Sequence, residues 1–158
     1  MWVALLMGAW VAGLDQLTKA WIRETMPLHG SIPVWAGCFD VTYVKNTGAA
    51  WGMFNEHNEL LALLALVMLG LLLGFRRRVL PQGRGGDVIL GLLGGGIVGN
   101  LLDRLRLDFV TDYLDFYVGR WHWPAFNIAD AAICAGVVFF VILSWRERQP
   151  AEGDGGEE

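Results

Sequence analysis

Two aspartates stand where polar stretches of the chain meet apolar runs, and together they could carry acid/base chemistry. Asp112 lies in Val110-Thr111-Asp112-Tyr113-Leu114-Asp115-Phe116, and Asp130 lies in Phe126-Asn127-Ile128-Ala129-Asp130 at the threshold of the last apolar segment. Two close carboxylates cannot both ionise easily, so they hold one proton between them and titrate as a unit. The ionised one can take a proton from an attacking water while the protonated one donates to a carbonyl oxygen. Taken singly, each has a structural explanation. Asp130 falls in the first turn of a helix, where the dipole favours an acid, and Asp115 competes with Asp112 for any catalytic role. Their joint appearance at one level of the apolar boundary favours chemistry.

Asp15, Lys19, Asn100, Asp103 and Arg104 also interrupt or border apolar runs. Ionisable groups in hydrocarbon are costly, so by default they mark a working site. Asp15 and Lys19 are four apart with the acid first, the favourable order for an intrahelical ion pair. A brace for the bundle and a substrate-facing role both fit that spacing. Asn100, Asp103 and Arg104 share a face at i, i+3 and i+4, and the guanidinium fork suits Asp103, an aspartate across the bundle, or a carbonyl. Asn100 can serve a neighbouring helix or a peptide substrate.

Other chemistries find no support. His29, His57 and His122 are scattered without metal-site spacing, and no Cys-x-x-Cys or His-Glu-x-x-His occurs. Ser31 and Ser144 are the only serines, and neither sits in a nucleophile elbow. Gly94-Gly95-Gly96 lacks the context of a phosphate loop, and Cys38 and Cys134 read as small packing residues. Neither a metal nor a cofactor is expected.

The elements that must position these groups follow from composition. At 54% hydrophobic and 18% charged, the 158 residues are too apolar for an ordinary soluble domain. Four apolar segments, Met1 to Ile22, Glu59 to Phe75, Val88 to Leu105 and Ile128 to Trp145, come near the roughly 20 residues that a bilayer core requires. Gly91, Gly94, Gly95, Gly96 and Gly99 let backbones approach closely, which places the third segment at the bundle centre. Arg76, Arg77, Arg78 and Arg84 follow the second segment, and Arg146 and Arg148 follow the fourth, so both termini are expected in the cytoplasm and the Asp112 loop outside. The first segment lacks a basic n-region and contains Asp15 and Lys19, so it reads as a retained span rather than a removed signal. Between the first two spans, Ser31 to Phe54 is broken by glycine and proline, and Phe39 to Val44 alternates as a strand would. Trp35, Trp51, Trp121 and Trp123 suit the membrane interface.

The expected class is therefore an all-α integral membrane protein, with four transmembrane helices and a small extracytoplasmic β-sheet between the first and second. Residues 1–148 form the transmembrane domain, and residues 149–158 form a disordered acidic cytoplasmic tail. The net charge of -4 owes much to that tail, and no basic stretch argues for nucleic acid. On these grounds alone a small proton-coupled transporter or channel subunit is a rival to an enzyme, as is a non-catalytic membrane scaffold. A transporter would place its acids near mid-bilayer and usually carry repeated halves, and no repeat is visible.

Five blocks carry a resemblance: Asp15-Gln16-Leu17-Thr18-Lys19, Asn46-Thr47-Gly48-Ala49-Ala50-Trp51-Gly52, Gly95-Gly96-Ile97-Val98-Gly99-Asn100-Leu101-Leu102-Asp103-Arg104, Val110-Thr111-Asp112-Tyr113 and Phe126-Asn127-Ile128-Ala129-Asp130. In order and spacing they resemble the lipoprotein signal peptidases (signal peptidase II, prolipoprotein signal peptidase) of bacteria, with Trp51 where that family commonly has phenylalanine. The resemblance implies an aspartic endopeptidase of the bacterial cytoplasmic (inner) membrane that works near the outer face. It would cut signal peptides immediately before a diacylglyceryl-modified cysteine, with prolipoproteins and membrane lipids as its partners and no cofactor. It carries the catalytic pair onto Asp112 and Asp130. Substrate contact or site support falls to Asp15, Lys19, Asn46, Gly48, Asn100, Arg104 and Asn127. Ala36-Gly37-Cys38 looks like a cleavage site of such an enzyme, but no continuous apolar h-region precedes it.

Overall fold

The first helix, α1 (Trp2–Thr25), shows what surroundings the fold is built for. Its buried residues, Ala4, Val11, Asp15, Lys19 and Ile22, recur at helical spacing and form one stripe. Its outward face carries Trp2, Leu5, Leu6, Trp10, Leu17 and Trp21. Charges inside and large apolar groups outside invert the pattern of a water-soluble helix, and this is the arrangement that lipid imposes. The helix stops at Met26, whose extended backbone is what Pro27 demands of the residue before it. The structure, a computed structural model, describes residues 1–48, 53–54 and 56–148. The expected interfacial Trp51 and the acidic stretch 149–158 lie outside these residues.

Three further helices follow: α2 (Asn58–Val79), α3 (Arg84–Leu107) and α4 (Ile128–Arg148). Among the described residues, three helical stretches are long and apolar enough to cross a membrane, Asn58–Val79, Arg84–Leu107 and Ile128–Glu147. All four helices cover the four expected apolar segments, and most run a few residues further. The added turns of α2 carry Arg76, Arg77 and Arg78, cations that suit a helix C-terminus.

As its glycines foretell, α3 packs against each of the other helices. A methyl added at Gly91 would lie 2.6 Å from Cβ of Met7, and one at Gly95 would lie 2.7 Å from the Gly8 carbonyl oxygen, so α1 rests directly on the α3 backbone. On another face, a methyl at Gly96 would meet the Ala129 carbonyl oxygen at 2.5 Å, which sets the depth of α4. By contrast α2 buries only Leu61 and Ala62 and lies at the outside of the bundle, against α3.

A four-stranded antiparallel sheet closes one end of the bundle, in the order β1 (Ser31–Trp35), β2 (Phe39–Asn46), β3 (Val110–Val118) and β4 (Trp121–His122). The sheet is larger than expected, because the α3–α4 connection supplies half its strands. Asp112 and Asp115 disguise β3 in the sequence, where the segment reads as a polar loop. Ile22 of α1 and Met26 just beyond it pack with Tyr43 and Tyr113, which seats the sheet on the helices. Trp35, Trp121 and Trp123 are exposed on it, as interfacial aromatics would be. Ala36-Gly37-Cys38 forms the tight turn between β1 and β2, where Gly37 takes a φ of 92° and the Cys38 N–H bonds the Trp35 carbonyl. That turn is not an extended peptide of the kind a protease grips.

The close approach at Gly95 gives a test of this packing. Gly95→Ala should destabilise the protein by roughly 1–3 kcal/mol, the usual cost of overpacking. Gly94→Ala, whose new methyl would find its nearest neighbour at 4.0 Å, should be neutral or slightly stabilising. Thermal unfolding of both variants in detergent micelles makes the comparison, and equal midpoints would contradict the packing described.

Candidate active site

Two backbone arrangements bring Asp112 and Asp130 to the same end of the bundle. In the β2–β3 pairing, Val44 stands opposite Asp112 and Asn46 opposite Val110, so the end of β2 lies beside the start of β3. The segment before α4 is tied to β3 as well: Leu114 and Phe126 exchange backbone hydrogen bonds at 2.8 and 3.1 Å, and the Tyr113 N–H also donates to the Phe126 carbonyl. Asn127 follows immediately and caps α4. Its side-chain oxygen accepts the Asp130 N–H at 3.1 Å while the Asp130 carboxylate accepts the Asn127 N–H at 3.2 Å. This reciprocal pair is a capping box with aspartate as its acid, and it fixes the Asp130 side chain at the helix N-terminus.

Asparagine amides connect the two carboxylates. Asn127 has committed its oxygen to the Asp130 N–H, so its Nδ2 faces the other way and donates to Asp112 Oδ1 at 2.7 Å and to Asn100 Oδ1 at 3.2 Å. Asn100 Oδ1 also accepts from Lys19 Nζ at 2.8 Å, which leaves Asn100 Nδ2 to donate to Asp130 Oδ1 at 2.7 Å. The second oxygen of Asp112 accepts from Asn46 Nδ2 at 2.8 Å, and Asn46 Oδ1 accepts the Gly48 N–H at 2.9 Å. Each amide is thus held in one orientation by what its other end must do.

The electrostatic setting favours a retained proton. Burial, aided by the nearby charge of Asp130, pushes the Asp112 carboxyl up to about 7 against the opposing pull of the Asn46 and Asn127 hydrogen bonds. Burial also raises the neighbouring Tyr113 hydroxyl to about 12, where it shares a 2.7 Å hydrogen bond with Thr18. Asp112 is fully buried whereas Asp130 is only partly covered, so the pair opens on the Asp130 side.

Beneath the pair lies a buried ionic layer. Lys19 Nζ is 2.8 Å from Asp15 Oδ2 and 3.4 Å from Asp103 Oδ2, with all three side chains essentially inaccessible. The expected Asp15–Lys19 pair is present as a brace. Asp15 Oδ1 also accepts the Ala129 N–H at 2.9 Å, and it reaches α4 past Gly99, where a methyl would stand 2.7 Å from its carboxylate. Arg104 behaves differently from the acid pairings considered for it. It donates to the Gly48 carbonyl at 2.8 Å and to Asn58 Oδ1 at 3.4 Å, while Asp103 turns to Lys19 and Arg23 instead.

All nine residues singled out in the sequence therefore fall in one connected region, with Asp15 and Lys19 below the carboxylates and Gly48 and Arg104 beside them. Sequence reasoning missed Gln16, Arg23, Asn58 and Thr111, which complete the hydrogen bonding. Arg23 was within reach of the same argument, since it extends the Asp15 and Lys19 stripe by another four residues. Among the described residues no group of His, Cys, Asp and Glu could hold a metal ion. His122 instead contacts Asp115, with Nδ1 3.0 Å from its carboxylate. Asp112 and Asp115, three apart in β3, point to opposite faces of the strand.

Comparison with known proteins agrees with the motifs. The family model described as signal peptidase (SPase) II matches residues 7–146. A lipoprotein signal peptidase of Nitratidesulfovibrio vulgaris (strain DP4) is 37% identical over 156 residues, covering 96% of this chain and 94% of the relative. One from Desulforapulum autotrophicum is 44% identical over 142 residues, covering 83% and 84%. A solved bacterial membrane enzyme superimposes with a TM-score of 0.88 at 26% identity, covering 99% of this chain and 96% of that one. Sequence blocks, fold and relatives lead to one assignment: the chain belongs to the signal peptidase II family.

Proposed function

We propose that this chain is an aspartic endopeptidase of the bacterial cytoplasmic membrane, which removes the signal peptide of prolipoproteins by cutting before a diacylglyceryl-modified cysteine. Asp112 and Asp130 are its catalytic pair. The observation that carries the reading is the amide linkage, in which Asn127 holds Asp112 and Asn100 holds Asp130 while each amide is fixed from behind. Preorganised carboxylates of this kind need no reorganisation when the substrate arrives.

The roles follow from the surroundings. Asp112, buried and proton-retaining, donates a hydrogen bond to the scissile carbonyl oxygen. Asp130, at a helix N-terminus that favours negative charge, takes a proton from the water that attacks the carbonyl carbon. The proton of Asp112 passes to the developing oxyanion, giving a neutral tetrahedral diol. On collapse, Asp130 protonates the leaving amine, Asp112 recovers a proton from the diol hydroxyl, and the pair returns to its starting state. Asn46, Gly48 and Arg104, grouped beside Asp112, are assigned to substrate contact, and Asn100, Asn127, Asp15 and Lys19 support the pair. Acyl chains favour the bilayer by about 0.8 kcal/mol per buried CH₂, so the lipid on the substrate cysteine both delivers the peptide and fixes its depth.

In the same reading α1 is the fourth span. Its 24 residues extend roughly 36 Å, enough for the hydrocarbon core, and its charges face the bundle rather than the lipid. Both ends of residues 1–148 then lie in the cytoplasm, with the sheet outside.

Cleavage of a lipid-modified pre-lipoprotein by purified protein in detergent, followed by gel shift, tests the chemistry. Asp112→Asn and Asp130→Asn should each lower kcat on the order of 10³-fold or more, and the double variant should be no worse than either single one. Asp115→Asn should stay within a few-fold of the parent. Near-native cleavage by either folded dyad variant would overturn the aspartic mechanism.

The raised Asp112 value also fixes a pH dependence. The pair loses its shared proton as pH rises through about 7, so kcat/KM should decline on the alkaline side of that value. Because the folded state holds this proton more tightly than the unfolded chain, Asp112 contributes to stability at low pH and that contribution is lost as pH rises towards 7. Asp112→Asn should therefore melt at or above the parent temperature at pH 8. A clear loss of stability there would contradict the burial argument.

Orientation is checked by cysteine labelling in a background lacking Cys38 and Cys134. An impermeant maleimide added to intact cells should modify Arg120→Cys, in the turn between β3 and β4, and spare Gln82→Cys, between α2 and α3. The reverse pattern would invert the topology.

A further inference from the structure

The two dyad aspartates are preceded by residues whose backbone N–H groups are held in the same way. Ala129, just before Asp130, donates to Asp15 Oδ1 at 2.9 Å. Thr111, just before Asp112, donates to Asp103 Oδ2 at 3.0 Å. Lys19 stands between the two accepting carboxylates, 2.8 Å from one and 3.4 Å from the other. Asp103 is itself fully constrained: its other oxygen accepts from Gln16 Nε2 at 3.0 Å and lies 3.8 Å from Arg23 Nη1. Arg23 in turn donates to Thr111 Oγ1 at 3.0 Å, so Thr111 is gripped at both its backbone and its side chain.

We propose that Asp103, with Arg23 as its counter-ion, is a positioning residue for the reaction: it sets the place of Asp112 relative to Asp130 by holding the Thr111 N–H. The inference rests on Asp112 acting in the catalytic pair. The hydrogen bonds to the Asp112 carboxylate, from Asn46 and Asn127, orient its head but do not locate its backbone. The sheet pairing places that backbone beside β2, and the Asp103 bond ties the start of β3 to the last turns of α3. Through Lys19 the same layer reaches Asp15 and the backbone of α4, so both halves of the dyad are referred to one buried group. A displacement of about 1 Å at a reacting group can cost on the order of 100-fold in rate.

The test compares Asp103→Leu, which keeps the branched shape, adds some bulk and removes the acceptor, with Asp103→Asn, which keeps the size and an acceptor for the Thr111 N–H but removes the charge. With lipid-modified pre-lipoprotein as substrate and monodisperse protein of native melting behaviour, Asp103→Leu should lower kcat roughly 10- to 100-fold. KM should stay within about two-fold, since Asp103 does not meet substrate. Asp103→Asn should recover much of that loss. Native kcat in folded Asp103→Leu, equal losses in the two variants, or a rise in KM at unchanged kcat would each overturn the proposal. If Asp103→Leu does not fold, Arg23→Met decides, because it leaves the Asp15–Lys19–Asp103 layer in place: a several-fold fall in kcat at constant KM supports the proposal, and native kcat overturns it. Asp112→Asn run in parallel separates the two levels. If it is inactive while Asp103→Leu is native, only this inference fails, whereas an active Asp112→Asn removes the reading on which it rests.

Discussion

The constraint on which the rest depends is that Lys19 is a cation with no access to water. A buried charge that loses its partner costs roughly 3–5 kcal/mol, so the ammonium must be surrounded by acceptors on every side it presents. It finds Asp15 on its own helix, Asp103 and Asn100 on α3, and nothing else is required. Satisfying this one group brings α1 and α3 into a single register. It also consumes the oxygen of Asn100, which leaves the amide of Asn100 no choice but to face Asp130. Every buried polar side-chain atom among the described residues has a partner, as an apolar solvent requires.

The dyad sits above this layer and is organised by different means. Below, opposite charges cancel; above, two carboxyls are held near each other by neutral amides. The amides orient the carboxyls without neutralising them, which a lysine or arginine in the same place would do. Arg104, the cation close at hand, is turned aside by the Gly48 carbonyl and by Asn58. Spending the guanidinium on a backbone carbonyl keeps it from forming an ion pair with either acid.

Much of this was legible in the sequence, and the reasons for what was not are physical. The Asp15–Lys19 pair is local, so a spacing of four residues sufficed to read it. The four helices were legible because each contains a long, largely apolar run. The partners of Asp103 and Arg104 were not legible, since adjacent residues on a helix point in different directions and their partners come from elements far away in the chain. The second half of the sheet was hidden for a related reason. β3 carries Asp112 and Asp115 within an apolar run, so it lacks the alternation of an ordinary strand, and its pairing with β2 joins residues such as Asn46 and Val110 that no local pattern connects.

The helical spacing of Asp15 and Lys19 also matters to how the protein is made. During synthesis α1 emerges before α3 and α4 exist to supply Asp103, Asn100 and the Ala129 N–H. A lone lysine or aspartate would then face the bilayer uncompensated. Because the two lie one turn apart, they neutralise each other within the newborn segment. Later partners take up the remaining valences as they arrive. In the proposed topology the pair is thus a temporary passport for α1, which takes its charges into the membrane ahead of the groups they are destined to hold.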